Sequence, residues 1–167
     1  MRNNDNRTAR VFAEAETEFG FVPKCYREIA FAPAALERHH DCWRTLRDGP
    51  LTREEVLAAL VLVAGRRENA QQLECWRRYH QLRGFEGGFD LYVVAPELVS
   101  PALGPVSRAV RHFLENEGRF SDELIIEMFR AGRTREWLHA VLFAIGFAER
   151  NCQLSFLYEV DFDVAVK

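Results

Sequence analysis

Four side chains that could take part in chemistry lie close together in the segment NAQQLECWRRYH. Cys75 and Tyr79 are four positions apart, and so are Trp76 and His80, so that in a helix each pair shares a face and the two faces adjoin. A cavity against this helix would meet a thiol, a phenol, an indole and an imidazole. Because imidazole titrates near neutral pH, His80 is the candidate general acid or base. We predict that His80, Cys75 and Tyr79 are catalytic and that Trp76 contacts the substrate.

Charged residues at two predicted helix ends are candidate partners for these groups. Glu68 is predicted as a further catalytic residue, and Arg66 and Arg67 beside it would orient an acidic substrate. Glu149 and Asn151 end a similar apolar helix near the C-terminus. We predict that they line the same cavity from its other side.

The same helix also fits a purely structural interpretation. Its apolar and aromatic positions suit the edge of a hydrophobic core: Leu73, Trp76, His80 and Leu82. Glu74 and Arg78 then form an exposed ion pair four residues apart. The sequence leaves both interpretations open.

The sequence predicts no metal site and no disulfide framework. The four cysteines are far apart and have no paired spacing, which argues for reduced thiols. His39 and His40, with Cys42 nearby, are a weak metal candidate, because neighbouring helical side chains point about 100° apart. We therefore expect no metal and no cofactor.

Composition limits the class of protein. The length of 167 residues and the hydrophobic content of 48% suit one globular domain, residues 1–167. The net charge is −3 and the charges are interspersed, which argues against nucleic-acid binding. The longest apolar run, 56–65, is too short to span a bilayer, and the first ten residues lack the apolar core of a signal peptide. We expect a cytoplasmic protein with no membrane partner.

The hydrophobic pattern is helical nearly throughout and predicts an all-α fold. Residues 1–6 are polar and predicted to be frayed, a first helix ends near Gly20, and Pro-started helices follow at about 24–30 and 34–47. Thr52 and Glu55 form a capping box. The helix after it, 56–64, is apolar on every side and must therefore be surrounded by protein.

The second half continues this pattern with two ambiguous segments. A helix at about 70–83 stops at Gly84, and helices resume near Pro105, after Ser121 as N-cap, and after Thr134. Residues 89–100 suit either a short strand or an extended linker. The tail, residues 156–167, alternates between polar and apolar positions and is predicted to be an extended arm.

Two segments of the chain resemble each other. TREEVLAALVLVAGRREN, residues 52–69, aligns without a gap with TREWLHAVLFAIGFAERN, residues 134–151. Both begin with Thr-Arg-Glu, end with Asn and are strongly apolar between. The alignment suggests a duplicated helical unit and predicts that the two helices pair in the core.

Residues 16–64 contain a Gly-Phe-Val-Pro turn, a Pro-started helix and a Leu-Thr-x-x-Glu cap. With these features the segment resembles the carboxymuconolactone decarboxylase and alkylhydroperoxidase D-like superfamily. The segment SDELIIEMFRAGRTREWLHAVLFAIGFAERNC is similar to the later part of that family, so the resemblance covers about residues 10–155. It implies an alkylhydroperoxidase D-like helical bundle. Family members assemble as dimers, trimers or larger rings, which implies a homo-oligomer here.

The family's peroxidases use a Cys-x-x-Cys pair that this chain lacks. In the register that keeps Cys75 as the second cysteine, Gln72 occupies the first position. One thiol cannot close a two-cysteine redox cycle. The resemblance therefore implies the acid–base branch, with decarboxylation, isomerisation or ring rearrangement of a small anionic or aromatic metabolite. Two alternatives are a non-catalytic, oligomeric ligand-binding relative and a peroxidase that uses Cys75 alone.

Overall fold

The structure, a computed structural model, describes the backbone of residues 2–159 and the side chains of residues 6–157. This part of the chain is all-α, as the sequence predicts, and contains no strand. A 3-10 turn at Pro101–Leu103 joins the helix Pro96–Val99 to the helix Gly104–Glu115. The helices in chain order are α1 (Arg2–Phe19), α2 (Lys24–Ile29), α3 (Pro33–Arg47), α4 (Arg53–Arg66), α5 (Ala70–Arg83), α6 (Phe89–Val94), α7 (Pro96–Val99), α8 (Gly104–Glu115), α9 (Asp122–Arg130) and α10 (Arg135–Glu159).

Helix α4 is the centre of the core. Every residue from Val56 to Ala64 is buried, which confirms that this apolar helix is surrounded by protein. It packs against α10, α5, α8 and α6, while α1 packs against α3 on the other side of α10. Burial of a leucine or valine side chain stabilises a fold by about 1.5–3 kcal/mol, so this one helix supplies a large share of the hydrophobic free energy.

The N-terminus of α4 is fixed by a polar network. The Thr52 hydroxyl accepts a hydrogen bond from the Glu55 amide at 3.1 Å, and the Glu55 carboxylate accepts one from the Thr52 amide at 2.9 Å. This confirms the capping box. Although Glu55 is buried, its carboxylate also accepts from Trp137 Nε1 at 3.2 Å and lies 3.2 Å from Arg133 Nη1. Both carboxylate oxygens of the buried Glu55 therefore have a polar partner.

Helices α4 and α10 run parallel and in register. Residues 82 or 83 positions apart meet at both ends of α4 and on into the start of α5: Glu55 with Trp137, Arg67 with Glu149, Asn69 with the Cys152 carbonyl, and Gln72 with Ser155. The two similar segments of the sequence are also offset by 82 positions. Positions that are equivalent in the sequence alignment therefore face each other, and both segments begin with a threonine N-cap.

Helix α5 begins one tight turn after α4 ends. Glu68 adopts a left-handed backbone conformation, with φ of 51°, and Asn69 caps α5 by accepting from the Gln72 amide at 2.9 Å. Gly84, with φ of 65°, ends the helix where the sequence predicts. The short connection sets α5 beside α4, with one face towards α1 and α2 and another towards α6.

Three segments differ from the sequence-based prediction. Residues 89–100, predicted as a strand or linker, form α6 and α7, which Pro96 separates at the first position of α7. Residues 156–159, predicted as part of an extended arm, continue α10, because the buried spacing of three and four residues extends through Cys152 and Ser155. Residues 2–6, predicted to be frayed, are helical, since no Gly or Pro interrupts α1 before Gly20. The rest of the predicted arm, 160–167, lies outside the described residues.

Among helices in the described range, none combines the length and hydropathy needed to cross a bilayer.

Candidate functional site

Tyr79 and His80, which are both predicted to be catalytic, are consecutive residues of α5 with different surroundings. Tyr79 is buried with Trp76 in an aromatic cluster, in which Trp76 stacks on Trp43 with ring centroids 5.8 Å apart. Tyr79 packs edge-on against Trp43 at 5.7 Å and against Phe19 at 5.6 Å. These two residues therefore hold α1, α3 and α5 together as core. The structural interpretation predicts this for Trp76 but does not include Tyr79, and it is wrong for Leu82, whose side chain is exposed.

His80, the next residue along α5, lies among three aromatic rings, one of which, Phe85, also contacts Tyr79 with ring centroids 5.8 Å apart. Its ring centroid is 6.0 Å from Phe85, 5.8 Å from Phe89 and 5.2 Å from Tyr92. Burial lowers the pKa of His80 below its ordinary value of 6.5. Its Nε2 atom is buried and has no hydrogen-bond partner among the described residues. His80 is therefore a neutral imidazole among aromatic rings.

Cys75 lines a cavity between α2 and α5 with a volume of about 380 Å³. Burial raises the pKa of the Cys75 thiol to about 12, so that it is protonated at neutral pH. A protonated thiol is a poor nucleophile. The position of Cys75 therefore suits contact with a ligand better than attack on a peroxide.

The predicted charged residues also separate. Arg67 and Glu149 form an ion pair with each other at 2.9 Å, and Glu68 is exposed at the turn between α4 and α5. Arg66 lines a different cleft, of about 270 Å³, between α4, α6 and α8. Asn151 is buried in α10, where its carbonyl accepts from the Ser155 hydroxyl at 3.0 Å. The structure therefore brings the nine predicted residues to several separate places.

A different set of polar groups is assembled in a groove between α1 and α3, which we call the α1–α3 groove. It has a volume of about 400 Å³ and is lined by Ala13, Glu14, Thr17, Glu18, His40, Arg44 and Arg47. At its floor, the Nε2 atom of His40 lies 3.1 Å from a Glu14 carboxylate oxygen. The Nδ1 atom of His40 lies 3.1 Å from the hydroxyl of Tyr26. A carboxylate, an imidazole and a phenol thus form one row of polar contacts, each 3.1 Å long, which we call the Glu14–His40–Tyr26 chain.

The contacts of the Glu14–His40–Tyr26 chain favour one tautomer of His40. An ionised Glu14 can only accept a hydrogen bond, so the Nε2 atom of His40 carries the proton and donates to it. The Nδ1 atom is then an acceptor, and the Tyr26 hydroxyl donates to it. His40 is thereby held as the neutral Nε2–H tautomer between two fixed partners.

The pKa shifts of His40 and Tyr26 agree with this choice of tautomer. Burial lowers the pKa of His40, and the Glu14 carboxylate offsets part of that shift. Burial raises the pKa of Tyr26 well above its usual value of 10, so the phenol keeps its proton. Glu14 is the solvent-facing end of the Glu14–His40–Tyr26 chain, and its Oε1 atom accepts no hydrogen bond from the described residues. That oxygen is available to a molecule in the groove.

Arg44 gives the groove a cationic side. Its guanidinium lies 3.8 Å from Glu14 and 3.4 Å from Asp41, both longer than a strong charge-assisted hydrogen bond. Its donors are therefore incompletely used. Arg47 is engaged more fully, at 2.7 Å from Asp48 and 3.3 Å from Glu18. Of the two, Arg44 is the better partner for an anionic group in the groove.

His39 lies beside this chain but does not join it. Its ring stacks on Phe147, with centroids 5.0 Å apart, and meets Tyr26 edge-on at 5.2 Å. Both ring nitrogens are buried without a hydrogen-bond partner in the part of the chain that the structure describes. No group of three or more potential metal-binding side chains occurs in that part.

The sequence analysis missed Glu14 and Tyr26 and considered His40 only as a metal ligand. The three residues come from three helices, and positions 14, 26 and 40 form no local pattern. One signal was present, because Leu36, His40, Trp43 and Leu46 follow the spacing of a buried helix face. An ionisable residue on such a face needs a polar partner, which points to a buried polar contact without identifying it.

A comparison of the chain with models of known protein families gives no match, and a comparison with curated proteins also gives none.

Proposed function

We propose that this protein is an acid–base enzyme whose general base is Glu14, supported by His40 and Tyr26, and that it acts on a small anionic substrate in the α1–α3 groove. The observation that carries the proposal is the Glu14–His40–Tyr26 chain, in which each ring nitrogen of His40 lies 3.1 Å from a polar partner. This proposal keeps the class of reaction predicted from the sequence but transfers it from His80 to the Glu14–His40 pair.

The roles of the three groups follow from their positions. The Oε1 atom of Glu14 takes a proton from a carbon next to a carbonyl group, so that a C–H bond breaks, an O–H bond forms, and the electron pair stays on the substrate as an enolate. Arg44 stabilises the anionic substrate. Return of the proton to another atom completes an isomerisation that needs no further reactant. His40 donates to the Oε2 atom and holds the carboxylate in place.

Phenylpyruvate is a suitable probe, since it combines a carboxylate with an acidic C–H bond and its enol–keto conversion changes its ultraviolet absorbance. We expect the protein to accelerate this conversion. Glu14→Gln retains the side-chain shape but cannot act as a base at neutral pH, and it should lower the rate at least about 100-fold. The measurement is the initial rate against substrate concentration, so that loss of kcat is separated from a change in KM.

Glu16→Gln is the matched control. It removes an exposed carboxylate from the same helix, two positions away, and should leave the rate unchanged. Circular dichroism of each variant checks that the fold is retained. Absence of acceleration by the unaltered protein, or equal rates for Glu14→Gln and Glu16→Gln, would reject the assignment of Glu14 as the base.

The other candidate functions receive less support. A peroxidase that depends on Cys75 alone needs a thiolate, whereas the pKa of about 12 keeps this thiol protonated. Membership of the alkylhydroperoxidase D-like superfamily and assembly into a homo-oligomer remain predictions. Assembly is supported by exposed apolar side chains along the outer face of α10, which are Leu142, Phe143, Phe156 and Leu157.

A further inference from the structure

Cys75 lines the cavity between α2 and α5, which we call the α2–α5 cavity. This cavity carries an excess of positive charge. Lys24, Arg27 and Arg78 line it, against one acidic lining residue, Glu74. Lys24 is partly neutralised by Glu28, at 3.4 Å. Arg27 and Arg78 have no ion-pair partner among the described residues, and Glu74 approaches Arg77, at 3.8 Å, instead of the predicted Arg78. Two guanidinium groups are therefore left to attract an anion.

Arg78 is held in a position that suits a planar acidic group. Its guanidinium carbon lies over the ring of Phe21, 4.2 Å from the centroid. This contact fixes the plane of the guanidinium while its N–H groups at the edge remain open. A guanidinium presented in this way can donate two parallel hydrogen bonds to one carboxylate.

Gln71 adds a neutral donor to the same cavity. Its side-chain oxygen accepts a hydrogen bond from Lys24 Nζ at 3.0 Å, which fixes the orientation of the amide. The Nε2 atom is then left buried, without a partner in the described part of the chain. An unpaired buried donor costs about 1–3 kcal/mol, and a ligand oxygen would remove that cost.

The remaining wall of the cavity is apolar. Val22 and the neutral thiol of Cys75 line it together with the ring of Phe21. The volume of about 380 Å³ falls within the range of small-molecule sites. Cationic groups beside an apolar wall match a ligand that has an acidic end and a flat hydrophobic body.

We infer that the α2–α5 cavity binds a small aromatic carboxylate, with the carboxylate bound by Arg27, Arg78 and the Gln71 amide and the aromatic ring beside Val22 and Cys75. This site is separate from the α1–α3 groove, so that the inference stands independently of the proposed reaction. It adds to the protein a binding function for aromatic acids.

The test compares two ligands of the same shape, 1-naphthoate and its neutral analogue 1-naphthamide, by isothermal titration calorimetry with the full chain. We expect naphthoate to bind at least about tenfold more tightly than naphthamide, because only the carboxylate is negatively charged and offers two acceptor oxygens to the guanidinium groups. Arg78→Gln and Arg27→Gln should each weaken naphthoate binding about tenfold. They should leave the weak binding of naphthamide unchanged.

Arg38→Gln removes an exposed arginine of α3 that does not line the cavity and serves as the matched control. Glu14→Gln should also bind naphthoate normally, which distinguishes a failure of this inference from a failure of the proposed reaction. Failure of naphthoate to bind, equal affinities for the two ligands, or full affinity in both Arg78→Gln and Arg27→Gln would overturn the inference. Amide NMR shifts that move around Gln71 and Cys75 locate the site.

Discussion

Replacing Glu55 with alanine should lower the free energy of unfolding by about 3 kcal/mol. The variant loses the Glu55 half of the capping box, so that the Thr52 amide has no side-chain acceptor, while the Thr52 hydroxyl still caps α4. It also leaves the buried Trp137 N–H without its acceptor and Arg133 without its counter-charge. A buried donor left unpaired costs about 1–3 kcal/mol, and breaking a buried ion pair adds to that cost. Chemical denaturation measures the change.

Glu54→Ala is the matched control for this prediction. Glu54 is the adjacent carboxylate in the same first helical turn, but it takes no part in the capping box. Its replacement removes only a favourable interaction with the helix dipole and should cost less than about 1 kcal/mol. Equal destabilisation by the two variants would show that the network around Glu55 does not stabilise the pairing of α4 with α10.

Acidification from pH 7 to pH 3 should cost the folded protein about 4 kcal/mol through His39 alone. Burial, with smaller contributions from Arg150 and His40, lowers the pKa of His39 from 6.5 to about 3. Below pH 6.5 the unfolded chain therefore binds a proton on His39, whereas the folded protein does not bind it until the pH falls towards 3. The stabilisation is complete above pH 6.5 and is lost as the pH falls towards 3.

His39→Phe should remove most of this pH dependence, because phenylalanine keeps the ring stacked on Phe147 and does not titrate. At pH 7 the variant should be at least as stable as the unaltered protein, since it eliminates two buried nitrogen atoms without partners. His139→Gln, at an exposed position of α10, controls for loss of a histidine. Urea midpoints measured from pH 7 to pH 3 provide the comparison. Parallel curves for His39→Phe and His139→Gln would contradict the prediction.

Much of the fold is predictable from the sequence because its strongest signals are local. The capping box of Thr52 and Glu55 marks the start of α4, and Gly84 marks the end of α5. Each signal depends on the backbone conformation of only a few residues, and the structure confirms both helix ends. The uniformly apolar stretch from Val56 to Ala64 could be stable only in the core, where it lies. The C-terminal tail was predicted less well, because its alternation of polar and apolar residues masked the helical spacing through Ser155.

The candidate site was not predictable in the same way. The spacing of Cys75, Tyr79 and His80 correctly indicates neighbouring positions on one helix but says nothing of what packs against each side. Tertiary packing places Tyr79 in the aromatic core and His80 among three other rings. The contact between Glu14 and His40 depends on the pairing of α1 with α3, which no local pattern specifies.

The central question is whether the imidazole that supports catalysis is His40 of α3 or His80 of α5. The direct measurement is the rate of phenylpyruvate enol–keto conversion by His40→Gln and His80→Gln, each checked for fold by circular dichroism. We predict that His40→Gln loses at least about tenfold in kcat, because Glu14 then lacks its positioned partner, while His80→Gln retains the full rate. A full rate in His40→Gln together with a lost rate in His80→Gln would contradict the account and return the reaction to α5.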